Sequence, residues 1–114
     1  MHEVSIALSL LEMIEKKCRE EGYPCVESLK IRIGQASGIL PEAMQLAFEA
    51  AKQDTVARNA NLMIDLIPAR GICKDCAGHF EWEPPYIQEC PLCNSSALQV
   101  ISGYEMELVE IEVP

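Results

Sequence analysis

Along residues 4–21, apolar side chains return at steps of three and four. Val4, Ala7, Leu8, Leu11, Ile14 and Cys18 make one stripe, the period of an amphipathic helix. Glu12, Glu15, Lys16 and Arg19 lie off it, and Ile6, Leu10 and Met13 widen the same core face. "EGYP" then stops the helix, with Gly22 just past its end and Pro24 beyond. Over 25–34 the period changes to two. Leu29, Ile31 and Ile33 alternate with Lys30 and Arg32, which predicts a strand with one apolar and one basic face. "GQASG" is a turn, and "LPEAMQLAFEAAKQ" restarts a helix with Pro41 and Glu42 in its first turn and Met44, Ala47, Phe48 and Ala51 facing inward. Residues 61–68 predict a second strand on Leu62, Ile64 and Leu66.

The last strand is expected from about Leu98 to Val113. Tyr104, Met106 and Leu108 alternate with Glu105 and Glu107, and the phase then slips, so that Val109, Ile111 and Val113 alternate with Glu110 and Glu112. A period-2 strand cannot slip by one residue without a bulge, which places one near Leu108–Val109. The four glutamates are expected on one solvated face, where they can pair with Lys30 and Arg32 of a neighbouring strand.

Between the second and last strands the composition changes. "GICKDCAGHFEWEPPYIQECPLCNSSA" holds four of the cysteines, three of the prolines and the only tryptophan. Cys73 and Cys76, then Cys90 and Cys93, are two C-x2-C pairs with thirteen residues between them. A hairpin of "HFEWE" and "YIQE" about Pro84 and Pro85 would bring them together, and the four thiolates suit one tetrahedral zinc ion. A closed S4 shell leaves no open position, so the metal is expected to hold the fold rather than to catalyse. A thioredoxin-like reading needs a strand before and a helix after a C-x2-C pair, and neither is predicted here. His79 is expected to be a bystander, and Cys18 and Cys25 buried free thiols. The elements add up to an α/β fold: two helices on a three-stranded sheet, residues 1–70 plus 99–114, interrupted by a four-cysteine zinc ribbon at 71–98.

Charge narrows the function. The chain of 114 residues is 49% hydrophobic, enough for a core, and carries 18 acidic against 9 basic residues, a net charge of −9. Such a chain repels phosphate backbones, and the ribbon itself has one lysine, no arginine and four acids, so nucleic acid is not an expected partner. The first apolar stretch lacks a basic start and a cleavage site, and no run is long enough to span a bilayer. A cytoplasmic protein is therefore expected.

The histidine at position 2 is open to a second metal. The Met1 amine, the His2 amide nitrogen and the His2 imidazole can close adjacent chelate rings on a d8 or d9 ion such as Ni(II) or Cu(II), with Glu3 adding an amide nitrogen and a carboxylate. Such a site is open and labile, which suits delivery.

"MHE" at the start, a helix, "IRIGQASGILPEAMQLAFE", then C-x2-C-x13-C-x2-C before a final acidic strand, resembles the HypA/HybF family of nickel metallochaperones over nearly the whole chain. The resemblance implies nickel at Met1, His2 and Glu3, structural zinc at Cys73, Cys76, Cys90 and Cys93, and no reaction of the protein's own. It also implies a partner GTPase and a hydrogenase large subunit, with urease as a further client of some relatives; a monomer or weak homodimer is expected. Histidines that flank the cysteine pairs in some relatives are replaced here by Lys74, Asp75 and Asn94. The alternatives are a zinc-ribbon adaptor that binds no nickel and a redox enzyme using C-x2-C.

Overall fold

The computed structural model describes residues 3–83 and 87–114. Helix α1 runs Glu3–Glu21 and ends as the sequence predicts. The Tyr23 N–H reaches back to the Cys18 carbonyl at 2.9 Å, and Gly22 takes φ +76°. This closes the last turn in the way that glycine just past a helix end allows. The buried stripe is rotated from the expected one. Ile6 and Leu10 join Ala7, Leu11, Ile14 and Cys18 in the core, while Val4, Leu8 and Met13 are exposed. The reason is that α1 must cover a sheet as well as touch a second helix, so its apolar arc centres between the two.

Strand β1 (Ser28–Gly34) lies at the centre of a sheet ordered β2-β1-β6, with β2 at Asn61–Ile67 and β6 at Met106–Glu112. β1 and β2 are parallel, Leu29 opposite Leu62 and Ile33 opposite Leu66. Parallel pairing needs a crossover, and helix α2 (Pro41–Ala51) supplies it. Leu29, Ile31 and Ile33 are fully buried and pack with Met44, Ala47 and Phe48 of α2 in one core. Leu66, by contrast, is 46% exposed at the end of the edge strand β2.

Polar ties hold both ends of α2. Its N-cap, Leu40, has no capping side chain, and the Glu3 carboxylate from the start of α1 accepts the Leu40 N–H at 3.1 Å. At the other end the buried Lys52 donates to Glu49 Oε1 at 2.9 Å and to the Ala60 carbonyl at 2.8 Å, with its ammonium 5.6 Å from the Phe48 ring centre. A buried lysine is tolerated when its charge is paired and its protons are taken.

β6 pairs antiparallel with β1, and the register shifts between Lys30 and Ile31 because Glu110 and Leu108 are their partners. Val109 is the extra residue, so the bulge sits where the phase slip in the sequence put it. Glu107 lies opposite Arg32, their charged ends 3.4 Å apart, and Glu110 opposite Lys30. Glu105 does not join this face, since its carboxylate accepts the Gly103 N–H at 2.7 Å in the preceding turn.

The expected single last strand is in fact two. β5 (Leu98–Ser102) belongs to a second sheet, ordered β4-β3-β5, with β3 at Arg70–Cys73 and β4 at His79–Glu81. The chain changes sheets at Gly103, whose φ of +122° favours glycine. There the Gly103 carbonyl accepts the Ala36 N–H at 2.7 Å, and Tyr104 is exposed in the turn rather than inward on a strand. The expected hairpin of "HFEWE" with "YIQE" differs as well. β4 pairs with β3 across the first cysteine pair, and Ile87–Glu89 form no strand. Pro84, Pro85 and Tyr86 lie outside the described residues.

The junction is tight. A Cβ added at Gly34 would stand 2.0 Å from the Gly103 carbonyl oxygen, and one at Gly103 would stand 2.8 Å from the Ala69 Cα. Both obstacles are backbone and cannot swing aside. Gly34→Ala is therefore expected to lower stability by about 1–3 kcal/mol, the range for overpacking, read as a fall in the denaturant midpoint. An unchanged midpoint would show that the strands do not meet there.

Candidate metal centre

Each cysteine pair sits in the same local structure. In the first, the Cys73 N–H donates to the Gly78 carbonyl at 3.0 Å and the Ala77 N–H to the Cys73 carbonyl at 2.8 Å. In the second, the Cys90 N–H donates to the Ser95 carbonyl at 2.7 Å and the Asn94 N–H to the Cys90 carbonyl at 2.9 Å. The residue after each second cysteine turns left-handed, Ala77 at φ +60° and Asn94 at φ +64°. These tight turns aim both sulfurs of a pair to one side, and backbone amides point at them. The Cys76 N–H lies 3.5 Å from the Cys73 sulfur and the Leu92 N–H 3.3 Å from that of Cys90. The Ser95 hydroxyl donates to the Asp75 carboxylate and locks one knuckle to the other. The sequence offered no signal for that bond, although asparagine at position 94 is a residue type that tolerates the left-handed turn.

All four sulfurs lie within 4.8 Å of one another. Cys73 and Cys93 are 3.6 Å apart, and Cys76 and Cys90 3.8 Å. Four thiolates about 2.3 Å from one zinc ion in a tetrahedron stand about 3.8 Å apart, so the donor type and the spacing fit zinc. Cys73 and Cys90 are buried, Cys76 and Cys93 exposed.

Without an ion the four thiols share this space badly. The Cys76 N–H, helped by that of Asp75 and by the thiols of Cys93 and Cys76, brings Cys73 down to about 7 against the cost of burial. At Cys93 the Ser95 N–H favours the thiolate, but Cys73, burial, Cys76 and Cys90 outweigh it and push the group up to about 12. Cys76 is also raised: the Gly78 N–H favours its thiolate, while burial and the thiols of Cys73 and Cys90 oppose it. The Cys73 thiolate forms easily while Cys76 and Cys93 resist joining it, which a divalent cation reverses.

Among the described residues, the other cysteines and His79 take no part. Cys18 is buried in the core, its thiol pushed up by burial, then by Glu15 and Cys25, and is chemically quiet. Cys25 is half-buried rather than buried. His79 is exposed on β4 opposite Ile72 and outside the four-sulfur group. Of the expected N-terminal site, Met1 and His2 lie outside the described residues; Glu3 opens α1 and holds Leu40.

The sequence model of the family described as "Hydrogenase/urease nickel incorporation, metallochaperone, hypA" matches residues 1–113. The chain belongs to the HypA family. It is 38% identical over 111 residues to a hydrogenase maturation factor HypA of Chlorobium luteolum, covering 97% of this chain and 94% of that one. It is 37% identical over 113 residues to that of Geobacter metallireducens, covering 99% of both. The solution structure of the Ni metallochaperone HypA from Helicobacter pylori is similar at 27% identity and a TM-score of 0.69, over 99% of this chain and 97% of that one. HypA proteins form a metallochaperone family rather than a family of enzymes, so the redox-enzyme alternative falls. Among the described residues no helix is long and apolar enough to cross a membrane.

For this HypA chain, Cys73→Ala or Cys90→Ala is expected to lose zinc and unfold the ribbon, whereas Cys18→Ala keeps both. Full zinc occupancy in the Cys73 variant would remove that residue from the ligand set. Because Cys76 is raised and Cys93 stands near 12, both carry protons near neutral pH in the metal-free protein. Zinc uptake must expel them, so zinc affinity should rise with pH up to the range where they ionise. Calorimetry in buffers of different ionisation enthalpy reads the released protons. No release near neutral pH would contradict the four-thiolate site.

Proposed function

We propose that this HypA chain binds Ni(II) through Met1, His2 and Glu3 and delivers it during [NiFe]-hydrogenase maturation, with Zn(II) held by Cys73, Cys76, Cys90 and Cys93 as a structural ion. The observation that carries this reading is the family match, which begins at residue 1 and so takes in the "MHE" stretch. The chemistry of that stretch supports it: an amine, amide nitrogens and an imidazole suit nickel better than the all-sulfur site does. The Glu3–Leu40 hydrogen bond anchors the first turn of α1 to the start of α2.

Delivery needs a receiver. By its family the chain is proposed to act in the cytoplasm with a nickel-handling maturation GTPase and the hydrogenase large subunit, as a monomer or weak homodimer. The zinc ribbon holds a fixed shape while the nickel site exchanges, because a closed thiolate shell offers the incoming protein no open position.

Nickel titration of protein with its native N-terminus tests the site. His2→Ala, or a short N-terminal extension, is expected to abolish nickel binding while zinc content and fold remain. An unchanged titration in either variant contradicts the site, and zinc without nickel in the unaltered protein would favour the adaptor. The imidazole and the α-amine must both be deprotonated to bind, and their unperturbed pKa values are about 6.5 and about 7.7–8.0. Nickel affinity should therefore fall steeply as pH drops from about 8 to about 6, with the ribbon still folded. A flat profile would place nickel on other donors.

A further inference from the structure

β6 is paired on one side only. It forms an edge of the sheet, and among the described residues β1 is its only strand partner. The direction of its backbone groups follows from two bonds. The Gly34 N–H donates to the Glu105 carbonyl and the Glu27 N–H to the Glu112 carbonyl, each at 2.8 Å. Alternate residues of a strand turn their N–H and C=O groups to the same side. Glu105, Glu107 and Glu112 therefore face β1, and Met106, Leu108 and Ile111 direct theirs outward.

Beside that free edge runs an apolar trough between β6 and α1. Two adjoining hollows of about 550 and 380 Å³ share Met13 and Leu108. Ile6, Leu10, Met106 and Ile111 add to the apolar lining. Met13 is 55% exposed and Val109 41%. Glu107 and Glu110 stand at the rim. The basic residue there, Lys17, lies 3.5 Å from Glu21.

β1 shows what suits β6. On the occupied edge, Leu29, Ile31 and Ile33 go to the core while Lys30 and Arg32 lie opposite Glu110 and Glu107. The outer edge has the same make-up, an apolar side toward α1 and an acidic side on the far face. We infer that β6 and the trough beside it are a docking surface for an extended segment of a partner protein whose side chains alternate apolar and basic. The segment adds hydrogen bonds along Met106 and Leu108, sets its apolar side chains over Leu10, Met13 and Leu108, and brings its basic ones beside Glu107 and Glu110. This is strand addition to a sheet edge, in which backbone bonds give affinity and alternate side chains give choice. The bulge at Val109 interrupts the edge, so the docked strand is short; bulges at edges serve to limit indiscriminate pairing. A second copy of this chain is the poorer occupant. Pairing β6 with β6 would bring Glu107, Glu110 and Glu112 of two copies together, and like charges across a sheet repel. The surface owes nothing to the proposed nickel site and stands or falls separately from it.

The test uses the full-length zinc-loaded protein and a synthetic peptide copying residues 28–34, with a control peptide carrying Lys30→Glu and Arg32→Glu. The basic peptide should bind saturably and slow hydrogen exchange at the Met106 and Leu108 amides. The acidic peptide should bind at least about tenfold more weakly, and Met13→Asp in the protein should weaken the basic peptide by a similar factor. Met13 is exposed, so this variant keeps its fold, which its unchanged zinc content and unfolding midpoint verify. Equal affinity for the two peptides overturns the proposal, as does protection confined to β2. Protection of Met106 and Leu108 that grows with protein concentration and without peptide assigns the edge to a second copy, and overturns it too.

Discussion

The convergence of four cysteine sulfurs on one point is the constraint that the ribbon depends on. Among the described residues, seventeen buried ones on α1, β1, α2, β2 and their connections form the main core. The second sheet has little to match it: Ala69, Trp82 and the buried sulfurs of Cys73 and Cys90. Three short strands around so few apolar groups bury too little surface to offset their chain entropy. The geometry that replaces a core is local. Two left-handed turns, at Ala77 and Asn94, and amides aimed at sulfur make each knuckle. A cation that binds the four thiolates supplies the rest, which in small zinc domains amounts to roughly 10–16 kcal/mol of apparent binding energy.

The two sheets are joined by backbone rather than by a broad apolar interface. Gly34 and Gly103 lie in contact, and the Ala36 N–H donates to the Gly103 carbonyl. Trp82 stands between Phe80 and Tyr104, with ring centres 6.3 and 6.5 Å away. On the proposed reading the two metals have different donors. The ribbon has a complete sulfur shell, and the α/β body carries the start of α1, where the proposed nitrogen donors belong. Soft sulfur and harder nitrogen sets select different ions, which on that reading would let one small chain keep one metal while carrying another.

Much of this was legible in the residues. Period-2 alternation located β1, the phase slip between Leu108 and Val109 located the bulge, and the spacing of Cys73, Cys76, Cys90 and Cys93 announced the cluster. What was not legible depended on contacts far apart in the chain. The stripe on α1 reads equally well with Val4 and Leu8 or with Ile6 and Leu10, and only the position of β6 decides. A single glycine at 103 does not reveal that the strand beginning at Leu98 leaves one sheet for another, because the cause is Gly34, sixty-nine positions earlier by the numbering. The pairing of β4 with β3 was hidden in the same way: "HFEWE" alternates well enough to pair with either neighbour, and the knuckle at Cys73–Cys76 brings β3 closer.

The central claim is that nitrogen and sulfur sites divide two metals between them. X-ray absorption at the nickel and zinc edges, on one sample of native-terminus protein loaded with both, tests it most directly. The account predicts a zinc shell of four sulfurs at about 2.3 Å and a nickel shell of nitrogen and oxygen with no sulfur. Sulfur in the nickel shell, or nitrogen replacing sulfur around zinc, would contradict it.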